Sequence, residues 1–375
     1  MKLCIINSHF SMGGQEKVTA ELGSNLRNIY GIDVFLYSFL PKKVFFEEFK
    51  SLIHVDKSLD DLKQFDRIRR KFQRKLLKKN LYDTFNKRLD NLANYLLDRN
   101  IDTIIVNGGF LTALIPYLKN RLPDIIIIAW QHSNANIYLE RYHADYLAEY
   151  TKGLQQSNHV VCLTEHDKTV FSQYNNNVSV INNPVTIDNN KNEFSKLSNK
   201  NIAFISRYNI EAKGIDYLVK ISSMLPDECK ILFAGSGSEK EIANIKELIH
   251  KNHQENKIIL LGALNNDELK KVYLESSLFI STSRWEGFGL SILEAMTFGL
   301  PIVSFDNSGP REITDNGKYG VLVEKYNVEK FCDEILNMFN NSNSMIFYQK
   351  KSLSRVKKYS GSIILSQWKG LLDSF

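Results

Sequence analysis

The 375-residue chain has no uninterrupted run of about 18 apolar residues, the length that a bilayer-spanning helix requires. Its opening stretch, MKLCIINSHF, holds only a short apolar run before Asn7 and His9, too short and too polar for the hydrophobic segment of a secretory signal. The expectation is a cytoplasmic chain that does not span a membrane. Cysteine is scarce: Cys4, Cys162, Cys229 and Cys332 lie far apart with no C-x-x-C pair. That spacing offers no metal site and no disulfide framework, so all four read as reduced thiols. No repeat of fixed short period occurs, and the one biased tract is Asn-rich.

What is present is ordinary for a soluble globular enzyme, 43% hydrophobic and 24% charged residues, and the length exceeds what one core comfortably holds, which predicts two domains. The net charge of +6 is unevenly placed. Residues 67–79, RIRRKFQRKLLKK, hold eight basic residues and no acidic one, so the rest of the chain is slightly acidic.

Runs rich in Ile, Val and Leu alternate with helix-length segments. In the first half they are KLCII, DVFLYSF, DTIIVNG, DIIIIAWQH, HVVCLT and VSVINNPV; in the second, NIAFIS, KILFAGSG, KIILLGA, SLFISTS and PIVSFDN. Continuous rather than alternating apolar strands indicate parallel sheets covered on both faces, an α/β chain. The two series are separated by residues 182–201, polar, Asn-rich and containing Pro184, a linker composition. Two doubly wound domains joined near residue 183 would face each other across a cleft, with ligands beyond the carboxyl ends of the strands.

Three segments carry candidate chemistry. After the first strand, Gly13-Gly14 opens a helix. The turn spells neither G-x-G-x-x-G nor G-K-[ST], which leaves a tight turn or a phosphate-approaching backbone as its readings. Arg207 follows a strand end and Lys213 precedes Gly214 at a helix start; they are surface cations or a pair suited to a diphosphate. In RWEGFGLSILEAM, Glu286 sits in a Gly-rich turn and Glu294 among apolar helix positions, where an unpartnered carboxylate would be costly. Glu294 either closes a capping box onto Ser291 or, beside a helix N-terminus that favours phosphate, accepts a diol such as a ribose.

The two glutamates with seven residues between them in EGFGLSILEAM, together with GLPIV, SGPREI, GKYGVLV, SRYNIEAKG, LFAGSGSE, ILLGAL and the N-terminal GGQEKV, resemble glycosyltransferase family 4, retaining nucleotide-sugar enzymes of the GT-B fold. The resemblance runs from residue 3 to about 325. It implies two Rossmann-like domains: residues 1–182 for the acceptor, with a terminal helix at about 360–375 packing back on them, and residues 183–359 for the donor. It implies that Arg207 and Lys213 neutralise the donor diphosphate and that Glu294 takes the ribose hydroxyls. Glu286 and the backbone N–H groups of Phe288, Gly289 and Leu290 would hold the sugar and diphosphate. Gly14 would let its loop approach that diphosphate, and His132, at a strand end, would face the donor sugar. Asn183-Pro184 departs from the Asn-Gly pair more usual there, which bears on the hinge.

No Asp-x-Asp motif stands at a strand end, and two cations can do a divalent ion's charge work; no metal and no cofactor are expected. The donor is expected to be UDP-linked, giving up a hexose or N-acetylhexosamine with retention by front-face attack. The acceptor implied is a cell-surface polysaccharide, a teichoic acid or a lipid-linked glycan. Phe65, Ile68, Phe72 and Leu76 recur at helical spacing among Arg67, Arg69, Arg70, Lys71, Arg74, Lys75, Lys78 and Lys79. This is the pattern of a basic amphipathic helix on the inner face of the cell membrane; an anionic polymer or the chain's own core could also meet it. No recognition fold for nucleic acid accompanies the charge. The competing functions are a GT-B sugar-nucleotide epimerase or phosphorylase, and a non-catalytic carbohydrate-binding protein.

Overall fold

In the computed structural model, residues 1–57 and 81–375 are described. The chain divides into two compact units, Met1–Asn182 with Ile364–Phe375, and Asn183–Ile363. Among the described residues no helix is long and apolar enough to cross a membrane, and all four cysteines are buried and unpaired.

The first unit is built on seven strands: β1 (Lys2–Asn7), β2 (Asp33–Ser38), β3 (Ile53–Val55), β4 (Thr103–Asn107), β5 (Ile126–Trp130), β6 (His159–Cys162) and β7 (Val178–Val180). They lie in the order β3-β2-β1-β4-β5-β6-β7, and every pairing is parallel. All five residues of TIIVN in β4 are buried, as expected of a strand covered on both faces. The helix Gly14–Tyr30 buries Val18, Leu22 and Leu26, one residue per turn on one face. It ends at Gly31 in the left-handed conformation, whose N–H returns to the carbonyls of Leu26 and Arg27. The terminal helix Gly361–Leu372 contributes Trp368, which meets Trp130 edge-on at 4.6 Å between ring centroids. Neither indole has measurable exposure.

The second unit holds β8 (Asn201–Ile205), β9 (Lys230–Ala234), β10 (Ile258–Gly262), β11 (Leu278–Ser281), β12 (Ile302–Phe305) and β13 (Val321–Val323). Their order is β10-β9-β8-β11-β12-β13, again with parallel pairings. The edge strands β3 and β13, three residues each, are absent from the strand runs read in the sequence.

The Asn-rich stretch read as a linker is instead packed on the second unit. Ser195 is buried and donates to the carbonyl of Ser276, while its own backbone N–H reaches the carbonyl of Phe298. Asn189 donates to the carbonyl of Thr297 and Asn199 to that of Glu275. Short polar side chains that bond backbone groups give an irregular segment a fixed path without helix or strand.

Candidate functional site

Each sheet reverses its strand order at one place, β1 beside β4 in the first unit and β8 beside β11 in the second. In open α/β sheets that reversal opens a crevice at the carboxyl ends of the strands. The candidate residues of each unit gather there.

In the second unit, Arg207 lies two residues beyond β8, and its exposed guanidinium makes no hydrogen bond or ion pair to another described residue. Lys213 ends the short helix Ile210–Lys213, and its Nζ lies 2.5 Å from Oε2 of Glu286. Both side chains are mostly enclosed, at 16% and 19% exposure, so the pair is less screened than a surface salt bridge. Ser283 donates to the same Oε2 at 3.2 Å. The turn that places Lys213 depends on Gly214, which sits at φ 61°; a Cβ there would come within 2.0 Å of the Thr282 carbonyl oxygen. Thr282 fastens the turn by sharing its one hydroxyl proton between the carbonyls of Lys213 and Gly214, each 3.0 Å from Oγ1. Arg284 adds a bidentate pair to Asp216 and a bond to the carbonyl of Glu211. No local motif marks these supports in the sequence, since their partners lie 68 to 73 positions away.

Gly289 takes a φ of 105° and starts the helix Leu290–Thr297 without a side-chain cap. The N–H groups of Phe288, Gly289, Leu290 and Ser291 donate to no acceptor among the described residues, and the turn lies against Glu286, whose Cγ would be 3.5 Å from a Cβ on Gly289. Phe288 anchors the turn through its buried ring, edge-on to Tyr359 at 5.8 Å. Because the helix begins at Leu290, Ser291 is inside it, and the capping-box alternative for Glu294 is not realised. Glu294 is instead held by Tyr273, whose hydroxyl donates to Oε2 at 2.9 Å, and by Thr186, which donates to Oε1 at 2.6 Å. Burial, then the neighbouring Glu294 carboxylate, push the Tyr273 phenol well above its usual range, so it stays a donor.

In the first unit, Gly13 and Gly14 open the helix after β1. A Cβ on Gly13 would fall 2.1 Å from Oε2 of Glu16, whose other oxygen lies 3.5 Å from Nδ1 of His9. An acidic side chain thus occupies the first turn where a phosphate could also sit. His132 lies two residues past β5, 4.3 Å from Trp130 between ring centroids, with Nε2 3.2 Å from Oδ1 of Asn107. Part of the side chain is exposed, yet Nδ1 is enclosed without a partner, and desolvation pushes the imidazole down to about 3. Arg67, Arg69, Arg70, Lys71, Arg74, Lys75, Lys78 and Lys79 lie outside the described residues. Among the described residues, no three His, Cys, Asp or Glu side chains converge as a metal-ion ligand set.

Comparison with known proteins gives two family matches that together run from residue 12 to residue 359: glycosyltransferase family 4 over residues 12–189 and glycosyl transferases group 1 over residues 186–359. An uncharacterised glycosyltransferase of Haemophilus influenzae is 30% identical over 374 residues, covering 96% of this chain and 97% of that one. The poly(ribitol-phosphate) alpha-N-acetylglucosaminyltransferase of Staphylococcus aureus is 31% identical over 224 residues, 58% of this chain and 44% of that enzyme's length. Among solved structures, Anabaena Alr3699/HepE in complex with UDP superposes with a TM-score of 0.78 at 17% identity, over the full length of both chains.

Proposed function

The chain belongs to the family 4 glycosyltransferases of GT-B fold, and from that premise we propose that it transfers a hexose or N-acetylhexosamine, with retention, from a UDP-linked donor to an anionic glycan acceptor. The observation that carries the donor assignment is the Lys213–Glu286 pair beside four undonated N–H groups at the start of the helix Leu290–Thr297. A lysine ammonium paired once keeps two N–H donors, so Lys213 can hold Glu286 and a diphosphate oxygen together. Oε1 of Glu286 makes no hydrogen bond to a described residue, which leaves it for a sugar hydroxyl. The undonated N–H groups suit the diphosphate, Arg207 adds an exposed second cation, and Glu294 takes the ribose diol.

Charge on the leaving diphosphate is met by Lys213, Arg207 and backbone dipoles already in place, which is how preorganised electrostatics lower a barrier; no divalent ion is required in this scheme. Retention follows from attack on the face of the departing phosphate, so Glu286 orients the sugar and forms no covalent bond. His132 contacts the donor sugar and Gly14 the diphosphate, with the acceptor on the first unit. Two features favour a polyol-phosphate or related anionic acceptor: the cations of residues 67–79 and the similarity to the staphylococcal poly(ribitol-phosphate) enzyme. The same cations would place the enzyme at the inner face of the cell membrane.

A thermal-shift screen of UDP-, GDP- and ADP-sugars tests the donor class. A ligand at about 100 times its Kd adds about 2.7 kcal/mol of stability, so UDP-sugars should raise the melting temperature and the others should not. A shift confined to another nucleotide overturns the UDP assignment; production of an epimer or a sugar phosphate in place of a glycoside overturns transfer.

A further inference from the structure

We propose that Thr19 and Asn107 are positioning residues that lock His132 in its Nε2–H tautomer, making Nδ1 a standing hydrogen-bond acceptor for one hydroxyl of the bound sugar. The proposal rests on the functional reading above for its ligand, though not for its tautomer.

The polarity of the relay is set at a backbone carbonyl, which can only accept. Thr19 donates its one hydroxyl proton to the carbonyl oxygen of Gln15 at 2.8 Å. Towards Asn107 that hydroxyl can then only accept, and Nδ2 of Asn107 lies 3.1 Å from it. The amide therefore turns Oδ1 to His132, where it meets Nε2 at 3.2 Å. A carbonyl oxygen cannot donate, so Nε2 carries the proton, and a neutral imidazole has only one. Thr19 and Asn107 are essentially sealed from solvent, at 0% and 1% exposure, so bulk water does not compete for these bonds.

The consequence is a bare Nδ1 lone pair, enclosed and without a partner. An enclosed acceptor left unpaired is costly, and a ligand O–H relieves that cost. In this fold position, at the carboxyl end of β5 next to the strand-order reversal, the donor chemistry on hand is a sugar hydroxyl. The sugar is then discriminated by whether it presents that hydroxyl.

The first arm of the test is long-range 15N–1H NMR of the full-length, histidine-labelled protein without ligand. The expected spectrum shows His132 protonated at Nε2 and bare at Nδ1. A proton on Nδ1 means that the relay runs in reverse, with Thr19 donating to Asn107, and overturns the proposal. The second arm compares turnover of the UDP-sugar with its monodeoxy analogues. One analogue should lose roughly tenfold or more, the scale set by leaving a buried polar group unpaired. Asn107→Leu should abolish that discrimination, while Asn107→Asp, which keeps an oxygen facing Nε2, should retain it. Equal discrimination in all three proteins overturns the positioning role. If no nucleotide sugar is turned over, the functional reading has failed, and the spectrum still decides the tautomer.

Discussion

Glu294 sits between the buried residues Leu293 and Ala295, and Tyr273 and Thr186 each supply it a hydroxyl. Glu294→Ala would leave the fully buried Tyr273 hydroxyl unpaired, so stability should fall by about 1–3 kcal/mol and nucleotide affinity should fall with it. Urea unfolding and donor titration on the same variant check this; a stability loss with unchanged donor affinity would make Glu294 purely structural. Lys213→Ala should lower turnover by about a hundredfold or more, the scale for removing one charge-stabilising donor. Buried histidines make stability pH-dependent, and His132 and His143 are the most strongly shifted. Burial holds His132 down to about 3 and His143 down to about 4, whereas both titrate near 6.5 when unfolded. Below about pH 6.5 the unfolded chain therefore binds protons that the folded chain refuses, and stability falls as pH drops towards those lower values. His132→Gln should make the fall in melting temperature between pH 7 and 4 shallower; an unchanged slope contradicts it. Arg207, Lys213, Glu286 and Glu294 were legible because they lie within local motifs. Thr186, Tyr273, Thr19 and Asn107 were not, because their partners are 21 to 108 positions away in the chain.

The turn at Lys213-Gly214 converts local geometry into site geometry. Gly214→Ala places a methyl group against the Thr282 carbonyl and forces an L-residue into left-handed backbone. Such strain costs on the order of 1–3 kcal/mol, and relief by shifting the loop would draw Lys213 away from Glu286. The expected outcome is a lower denaturation midpoint together with reduced turnover; full turnover in a destabilised protein would separate the turn from the site. The parallel α/β architecture was legible because its strands are continuous apolar runs of four to six residues, whereas β3 and β13 are held by pairing with a neighbour rather than by their own pattern. The Asn-rich stretch misled for a related reason: its composition is that of a loop, and only the partners of Ser195 and Asn189 show that the loop is packed.

Across the whole molecule, the excess positive charge is confined to residues 67–79. Changing Arg69, Arg70, Arg74 and Lys75 to Ser should abolish co-sedimentation with anionic vesicles, since each cation near such a surface contributes about 1 kcal/mol. Transfer to a soluble, uncharged acceptor analogue should survive; intact vesicle binding with lost transfer to an anionic polymer would leave these cations their acceptor role and overturn their membrane role. The central claim, a retaining transfer whose leaving-group charge is met by Lys213 and Arg207 without a metal, is tested most directly by following the reaction of a UDP-α-sugar and a polyol-phosphate acceptor by proton NMR in EDTA. The account predicts an α-linked product formed at an undiminished rate. A β-linked product, or no product until a divalent ion is restored, would contradict it.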